Sequence, residues 1–336
     1  MSYLRSPHVH NLSCDPFSLV TFSRTRDGAK HAQFIPVFSR PSLALFNAHA
    51  QQLIDRCRLQ DSLVVGYANR LRKIPNGWCV ETEHGSLEAR RVILAIGATK
   101  QPLWTQWAQE LRQHDAPIHH VFDSDFDRTA LSTWAHAVVV GGGISAAQLA
   151  LSLARQQPST VTLLMRHPVR QHSFDSDPCW VTSICLKNFH AEADFDRRRA
   201  IINKARHRGS VPADVAQELR LAGGQGLLRI SEGEVTGAAF DQGFISLQTR
   251  DEVLNTDYVI LATGFKPERP GTLLLDYAIS DFGLPVAACG YPIVDTALQW
   301  AAGLHVTGPL AELEIGPTSR NIIGARLAGE RIGSVL

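Results

Sequence analysis

The sequence lacks any pair of cysteines two residues apart, any long apolar run and any large net charge. Each absence removes a class of function. Its six cysteines, Cys14, Cys57, Cys79, Cys179, Cys185 and Cys289, show neither zinc-site spacing nor a CxxC redox motif. They are expected to be reduced, mostly buried thiols, and nothing in the sequence requires Cys179 to meet Cys185. A formal net charge of +1 provides no global field to steer nucleic acid or a membrane surface. No stretch is apolar for the length of a bilayer span. The opening MSYLRSPHVH lacks the apolar core of a signal peptide, so a cytoplasmic location is expected. The fourteen histidines include the neighbours His8 and His10, His119 and His120, and His167 and His172. None has the i, i+4 helical spacing with a nearby Glu of a zinc protease site, and no metal is expected.

What is present is an ordinary globular balance, with 44% hydrophobic and 19% charged residues in 336, enough for about two domains. PSLALFNAHAQQLIDRCR (Pro41–Arg58) has helical apolar spacing with Pro41 near its start. Strand patterns follow in SLVVGYA, WCVETE and SLEARRVILAIG, with turns at Asn76-Gly77 and His84-Gly85. They read as a β-meander feeding a buried strand, Val92–Ile96. A linking stretch, Ala98–Thr133, leads to the apolar strand Ala137–Val140. Residues 175–222 read as mostly helical and charged, and DFDRRRAIINKARHR as a solvated helix face. A second meander is expected from Leu227 to the strand in TDYVILATGF. VILAIGATKQP and VILATGFKPERP repeat one theme, an apolar strand ending in Gly97 or Gly264 and then proline. They read as the points where the chain crosses between two nucleotide-binding domains.

Between these repeats lies the strongest motif. Strand AVVV, the run Gly141-Gly142-Gly143-Ile144-Ser145-Ala146, helix SAAQLALSLARQQ and strand Thr160–Arg166 form a βαβ unit carrying a GxGxxA fingerprint. Gly141 permits the tight turn, Gly143 lets backbone approach a pyrophosphate, and Ala146 lets the helix pack close to the strand. The helix start offers N–H groups and a positive dipole end to phosphate. At the end of the second strand an NAD site would carry a carboxylate for the ribose 2′-OH. Here stand Arg166 and Arg170, whose planar forks suit a 2′-phosphate, so NADP(H) is expected over NAD(H).

With these motifs in place, the chain resembles the class B flavin-dependent monooxygenases, in particular the lysine/ornithine N-hydroxylating group of two-dinucleotide-domain flavoproteins. VVVGGGISAAQLALSLA resembles that family's NADPH fingerprint, and the two Gly-Pro repeats resemble its paired crossings. SYLRSPHVHNLSCDPFSLVTF resembles the segment after its first βαβ unit. LHVTGPLAELEIGPTSRNIIGARLA, with Gly308, Thr318 and Asn321, resembles its closing FAD motif. The resemblance implies an α/β fold of two Rossmann-like dinucleotide-binding domains with β-meander insertions. It implies a partial FAD domain over 1–133, an NADPH domain with a helical insertion over 134–257, and the rest of the FAD domain over 258–336. It implies FAD and NADP(H) as cofactors and a small-molecule substrate, a primary amine, to which an oxygen atom is transferred. Thr318 or Ser319 is expected to cap the last helix, with Asn321 in its first turn, so that its start faces the flavin.

The family's opening GxGxxG unit has no counterpart here, so the FAD domain reads as N-terminally incomplete and FAD binding is expected to be weak. Three functions stay open. The leading one is an NADPH- and FAD-dependent monooxygenase of the N-hydroxylating kind. A flavin disulfide reductase shares the nucleotide motifs but needs a redox cysteine pair. A non-catalytic NADPH-binding remnant is the third. No catalytic side chain is legible, because the cofactor performs the chemistry. Nucleic acid and membrane partners are not expected, and a homo-oligomer is left open.

Overall fold

The computed structural model describes residues 3–127, 134–158 and 160–336. They fall into two compact units. One comprises Gln101–Asp175 and His207–Lys266, the other the segment ending at Lys100, Ser176–Arg206 and Pro267–Leu336. The expected boundaries at 133/134 and 257/258 are therefore displaced. The chain changes unit just after Gly97 and Gly264, because the strand Ile118–His120 pairs into the first unit's sheet. The stretch 176–206 is not an insertion in the dinucleotide unit, as its arginines are tied to glutamates of the second unit. The last part of the expected linking stretch, residues 128–133, lies outside the described residues.

In the first unit the elements are β1 (Ile118–His120), β2 (Ala137–Val140), α1 (Ile144–Gln156), β3 (Val161–Met165), α2 (Ala213–Gly224), β4 (Arg229–Glu232) and β5 (Tyr258–Leu261). The sheet order is β4-β3-β2-β5-β1, and every pairing is parallel. Parallel strands covered on both faces need continuous apolar runs, and VTLLM of β3 is buried at every position. β4 was expected within a meander. It instead lies beside β3, so the meander is confined to the strands Gly237–Asp241, Phe244–Gln248 and Val253–Thr256. On one face α1 buries Ala146, Ala147, Leu149, Ala150, Leu153 and Ala154 in a core with Val139, Leu163, Leu219 and Ile260. Four alanines in that set keep the helix close to the sheet. Chain leaving β2 passes to β3, whereas β5 and β1 lie on its other side. The topological switch thus falls at the carboxyl end of β2.

The second unit holds the meander Ala68–Ile74, Gly77–Thr82 and Gly85–Ala89, whose last two strands match the expected ones, and a sheet ordered Gln299–Ala301, Leu304–Val306, Val92–Leu94. The last two strands are parallel. SLVVGYA does not form a strand. Extended structure starts at Ala68, and Leu63, Val64 and Val65 are exposed. The strand at Val92 is shorter and less buried than expected, with Ile93 44% exposed at the sheet's edge. The first long helix, Leu43–Arg56, is capped by Ser42, whose Oγ accepts from the N–H of Leu45 at 3.1 Å.

Cysteine usage departs from the expected pattern. Cys14 and Cys57 are exposed, and Cys179 and Cys185 form a disulfide. The loop between them folds as a short 3-10 turn, Pro178–Val181, leading into helix Ser183–Ala191, which brings the two sulfurs together. No helix among the described residues is long and apolar enough to cross a membrane.

Candidate functional site

The glycine run begins directly at the end of β2. Gly141 has φ 151°, and a Cβ there would lie 2.5 Å from the carbonyl oxygen of Ala262 and 3.1 Å from Cβ of Ala146. Its lack of a side chain therefore serves the turn and the close approach to the segment after β5. Ala146 completes that contact, and its side chain is fully buried. Gly143 is different. It has φ −95° and ψ 178°, which any residue adopts, and the nearest atom to a Cβ placed there is Cα of Gly209 at 3.9 Å. Space in front of the start of α1 is open at Gly143, as a phosphate-binding cradle requires.

α1 is capped by Gly143 with no side chain accepting from its first turn among the described residues. The first-turn N–H groups, including those of Ile144, Ser145 and Ala146, have no intrahelical acceptor. Such donors and a positive dipole end are what binding of an anion requires. After β3 the chain carries Arg166 and Arg170, both exposed, and His167 between them, whose ring packs on Gly142. The structure thus brings the expected glycines and the segment bearing both arginines together. Sequence reasoning missed Gly209, which comes to the same place through the two-residue parallel pairing of Arg170–Gln171 with Ser210–Val211. That pairing joins segments about 40 positions apart and left no local signal.

The crossing at Gly264 lies in the same unit. The N–H of Leu103 donates to Gly264 O at 2.9 Å, and that of Lys266 to Gln101 O at 2.9 Å. The two crossing segments therefore run side by side, bridged again between Pro102 and Phe265. Beside them the buried His120 approaches Thr263 Oγ1 at 3.2 Å, and burial lowers its pKa.

Gly97, Gly308, Thr318 and Asn321 lie in the second unit. Gly97 and Gly308 follow the carboxyl ends of the paired strands Val92–Leu94 and Leu304–Val306. The helix Ile322–Gly333 is capped by Asn321, whose Oδ1 accepts from the N–H of Gly324 at 3.1 Å. This corrects the expected cap. Thr318 and Ser319 sit one turn earlier, in the 3-10 segment Pro317–Arg320, so neither reaches the helix's first N–H groups. Both are 2% exposed, and neither hydroxyl has a hydrogen-bond partner among the described residues. Two orphaned hydroxyls beside a helix start are unusual, because an unmet buried polar group costs about 1–3 kcal/mol. They fit a polar ligand such as the flavin ring.

Behind that turn lies a buried ionic cluster the sequence did not reveal. Glu312, fully buried, is ion-paired to Arg199 and accepts from Arg320 Nε at 2.8 Å. Tyr291 Oη accepts from Arg320 at 2.6 Å and donates to Pro267 O at 2.9 Å. Glu314 pairs with Arg331 at 3.1 Å and Arg198 at 3.6 Å. The basic stretch DFDRRR is therefore not a solvated face throughout. Arg197 is exposed, while Arg198 and Arg199 point inward and hold the segment 176–206 to this unit. The alternation Glu312-Leu313-Glu314 was the available signal, but the partners in the basic stretch, Arg198 and Arg199, are more than 100 positions away.

Residues 67–210 match a family described as pyridine nucleotide-disulphide oxidoreductase. The ornithine hydroxylase of Pseudomonas aeruginosa superposes with a TM-score of 0.74 at 17% identity, covering 99% of this chain and 86% of that one. The chain has the fold of the N-hydroxylating flavoprotein monooxygenases. The cadaverine monooxygenase of the desferrioxamine pathway from Erwinia amylovora, determined with FAD bound, gives 0.71 at 14% identity over 98% of this chain and 82% of that one. The same fold is shared by the bacillithiol disulfide reductase of Bacillus cereus, with 0.57 at 18% identity over 98% and 86%. No curated protein matches the sequence. Likeness at these identities establishes this fold and leaves the reaction to the site.

Proposed function

We propose that this chain is an NADPH- and FAD-dependent oxidoreductase that hydroxylates a small primary amine. The observation that carries the reading is the open cradle at Gly143 before a helix start that has no capping side chain, at the switch point of a parallel sheet. The N–H groups of the first turn of α1 bind the dinucleotide pyrophosphate. Arg166 and Arg170 supply charge for the 2′-phosphate and set the preference for NADPH. In the second unit the hydroxyls of Thr318 and Ser319 orient the flavin ring, and the start of helix Ile322–Gly333 stabilises negative charge on it. Gly97 and Gly308 keep the sheet's carboxyl edge free of side chains there. A bound FAD would supply the redox chemistry, by which two electrons from NADPH and O₂ would give one oxygen atom to a nucleophilic nitrogen and release the other as water. No side chain needs to act as a nucleophile.

A second reading is favoured by one observation, the Cys179–Cys185 disulfide. It supplies the redox pair that a flavin disulfide reductase needs, in the unit that holds Thr318 and Asn321. One experiment separates them. The purified chain is supplied with FAD and NADPH, and NADPH consumption is followed with small diamines or basic amino acids and, separately, with disulfides. Hydroxylated amine with matching O₂ uptake supports the first reading. Turnover of disulfide alone supports the second. A chain that takes up neither flavin nor NADPH refutes both.

A further inference from the structure

Gly97 and Gly308 follow the carboxyl ends of the parallel strands Val92–Leu94 and Leu304–Val306. Arg91 and Gly303 directly precede their amino ends, and there a cleft of about 740 Å³ opens, the size of a small-molecule site. Three segments of the second unit build it: the hairpin turn after Lys73, the pair Arg90-Arg91 and the turn Ala302-Gly303. They are held firmly to one another. The N–H of Val92 donates to Gly303 O at 2.8 Å, and Trp78 Nε1 donates to Ala302 O at 3.0 Å. Gly303 has φ 74°, and a Cβ on it would lie 2.7 Å from Arg90 O. A Cβ on Gly77 would run into Ala89 O. The shape of the cleft is thus fixed before a ligand arrives, which lowers the cost of binding.

Its charge is one-sided. Three of the ten lining residues, Lys73, Arg90 and Arg91, are cationic, and none is acidic. The nearby Glu81 is already paired with Arg72. Among the described residues Lys73 and Arg90 pair with no carboxylate. Arg91 Nη1 donates to the carbonyl oxygen of Leu336, so one guanidinium of the cleft already holds an oxygen acceptor. Ordinary surfaces intersperse the two signs, whereas a cleft lined by one sign concentrates counter-ions. None of the lining residues is aromatic, so the cleft offers no ring on which a base could stack.

We propose that this cleft is a ligand site separate from the cofactor residues, taking a compact anion that carries two or more oxyanion groups. Arg90 holds one group in its planar fork, and Lys73 meets another as a point charge. A third ligand oxygen takes the place of Leu336 O on Arg91. The site depends on neither the dinucleotide reading nor the flavin reading.

The test is titration calorimetry at low ionic strength with two probes, pyrophosphate and citrate. At least one should bind the unaltered chain; pyrophosphate alone would mark a phosphate ligand and citrate alone a polycarboxylate. Lys73→Gln and Arg90→Gln should each weaken that probe by roughly 3- to 10-fold and together by roughly 10- to 100-fold, the lower part of the range for charge-assisted hydrogen bonds because both groups are exposed. Arg250→Gln removes the same charge outside the lining and should change binding by less than about twofold, well under the energy of one hydrogen bond. Hydrogen exchange should slow on binding at residues 74–77, 90–92 and 302–303. Failure of both probes to bind overturns the inference. So does a probe whose affinity survives in the double variant, because it then sits elsewhere, or falls as far in Arg250→Gln, because net charge alone then accounts for it.

Discussion

Gly141 and Gly143 stand two residues apart in one motif, yet the structure gives them separate tasks, and substitution should separate them. In Gly141→Ala the new methyl meets a backbone carbonyl at 2.5 Å and Cβ of Ala146 at 3.1 Å, at a φ of 151° that side chains rarely adopt. The strained backbone and the overlap together cost about 2–4 kcal/mol. For a domain of this size that is a fall in Tm of roughly 5–15 °C. In Gly143→Val the side chain enters open space at an ordinary backbone conformation. The cost to the fold is the poorer N-cap, at most about 1 kcal/mol. The cost to binding is larger. The side chain stands where a phosphate oxygen would meet the first N–H groups of α1. Loss of two charge-assisted bonds at about 1.5–3 kcal/mol each weakens NADP⁺ by more than about 100-fold. Thermal melts followed by circular dichroism and NADP⁺ titration by calorimetry read the two effects. Near-native NADP⁺ affinity in Gly143→Val, or a loss of stability in it as large as in Gly141→Ala, would refute the division of labour and the cradle with it.

Arg166→Ala should weaken NADPH by about 1–3 kcal/mol and leave NADH nearly unchanged, measured as the two dissociation constants, and equal losses would count against the 2′-phosphate assignment. If the monooxygenase reading holds, replacing Cys179 and Cys185 together with Ser leaves amine-dependent NADPH oxidation within about twofold, a change in barrier too small for loss of a reacting group. A collapse in a folded variant would move the assignment to disulfide reduction. Glu312→Gln removes the charge shared by Arg199 and Arg320 and should destabilise by about 3–5 kcal/mol in denaturant unfolding, with part recovered by adding Arg199→Met. Stability should also fall in mild acid. Burial, Arg326 and His8 hold His10 down at about 4, so between pH 6.5 and 4 the unfolded chain binds a proton that the folded chain refuses. That contribution is complete above pH 6.5 and is lost as pH falls, by about 1–3 kcal/mol once partial exposure is allowed for. His49 and His120, also lowered by burial, act in the same direction. His10→Asn should flatten the Tm profile over this range, and an unchanged profile would show that His10 is not the group responsible.

The βαβ unit at Ala137–Met165 was legible in the sequence because every signal in it is local. The apolar run, the glycines, the alanine-rich helix face and the second apolar run all fall within about thirty positions, and each agrees with the others. The two Gly-Pro repeats likewise marked where the chain changes unit, since a strand's end and the glycine after it are written side by side. Tertiary structure decided what depends on distant pairing. Gly209 meets the glycine loop only because Arg170–Gln171 pairs with Ser210–Val211. Arg198 and Arg199 became buried because Glu314 and Glu312 arrive from far along the chain, and an isolated basic helix looks the same whether or not such partners exist. The strand Arg229–Glu232 joined the parallel sheet rather than the meander because β3 offered an open edge, which its own residues could not announce. Asn321 rather than Thr318 caps the last helix because a 3-10 turn intervenes, and the start of a helix is set by backbone geometry that several polar residues in a row can equally satisfy. Local pattern therefore determined the kind of site, and long-range pairing determined which side chains stand around it.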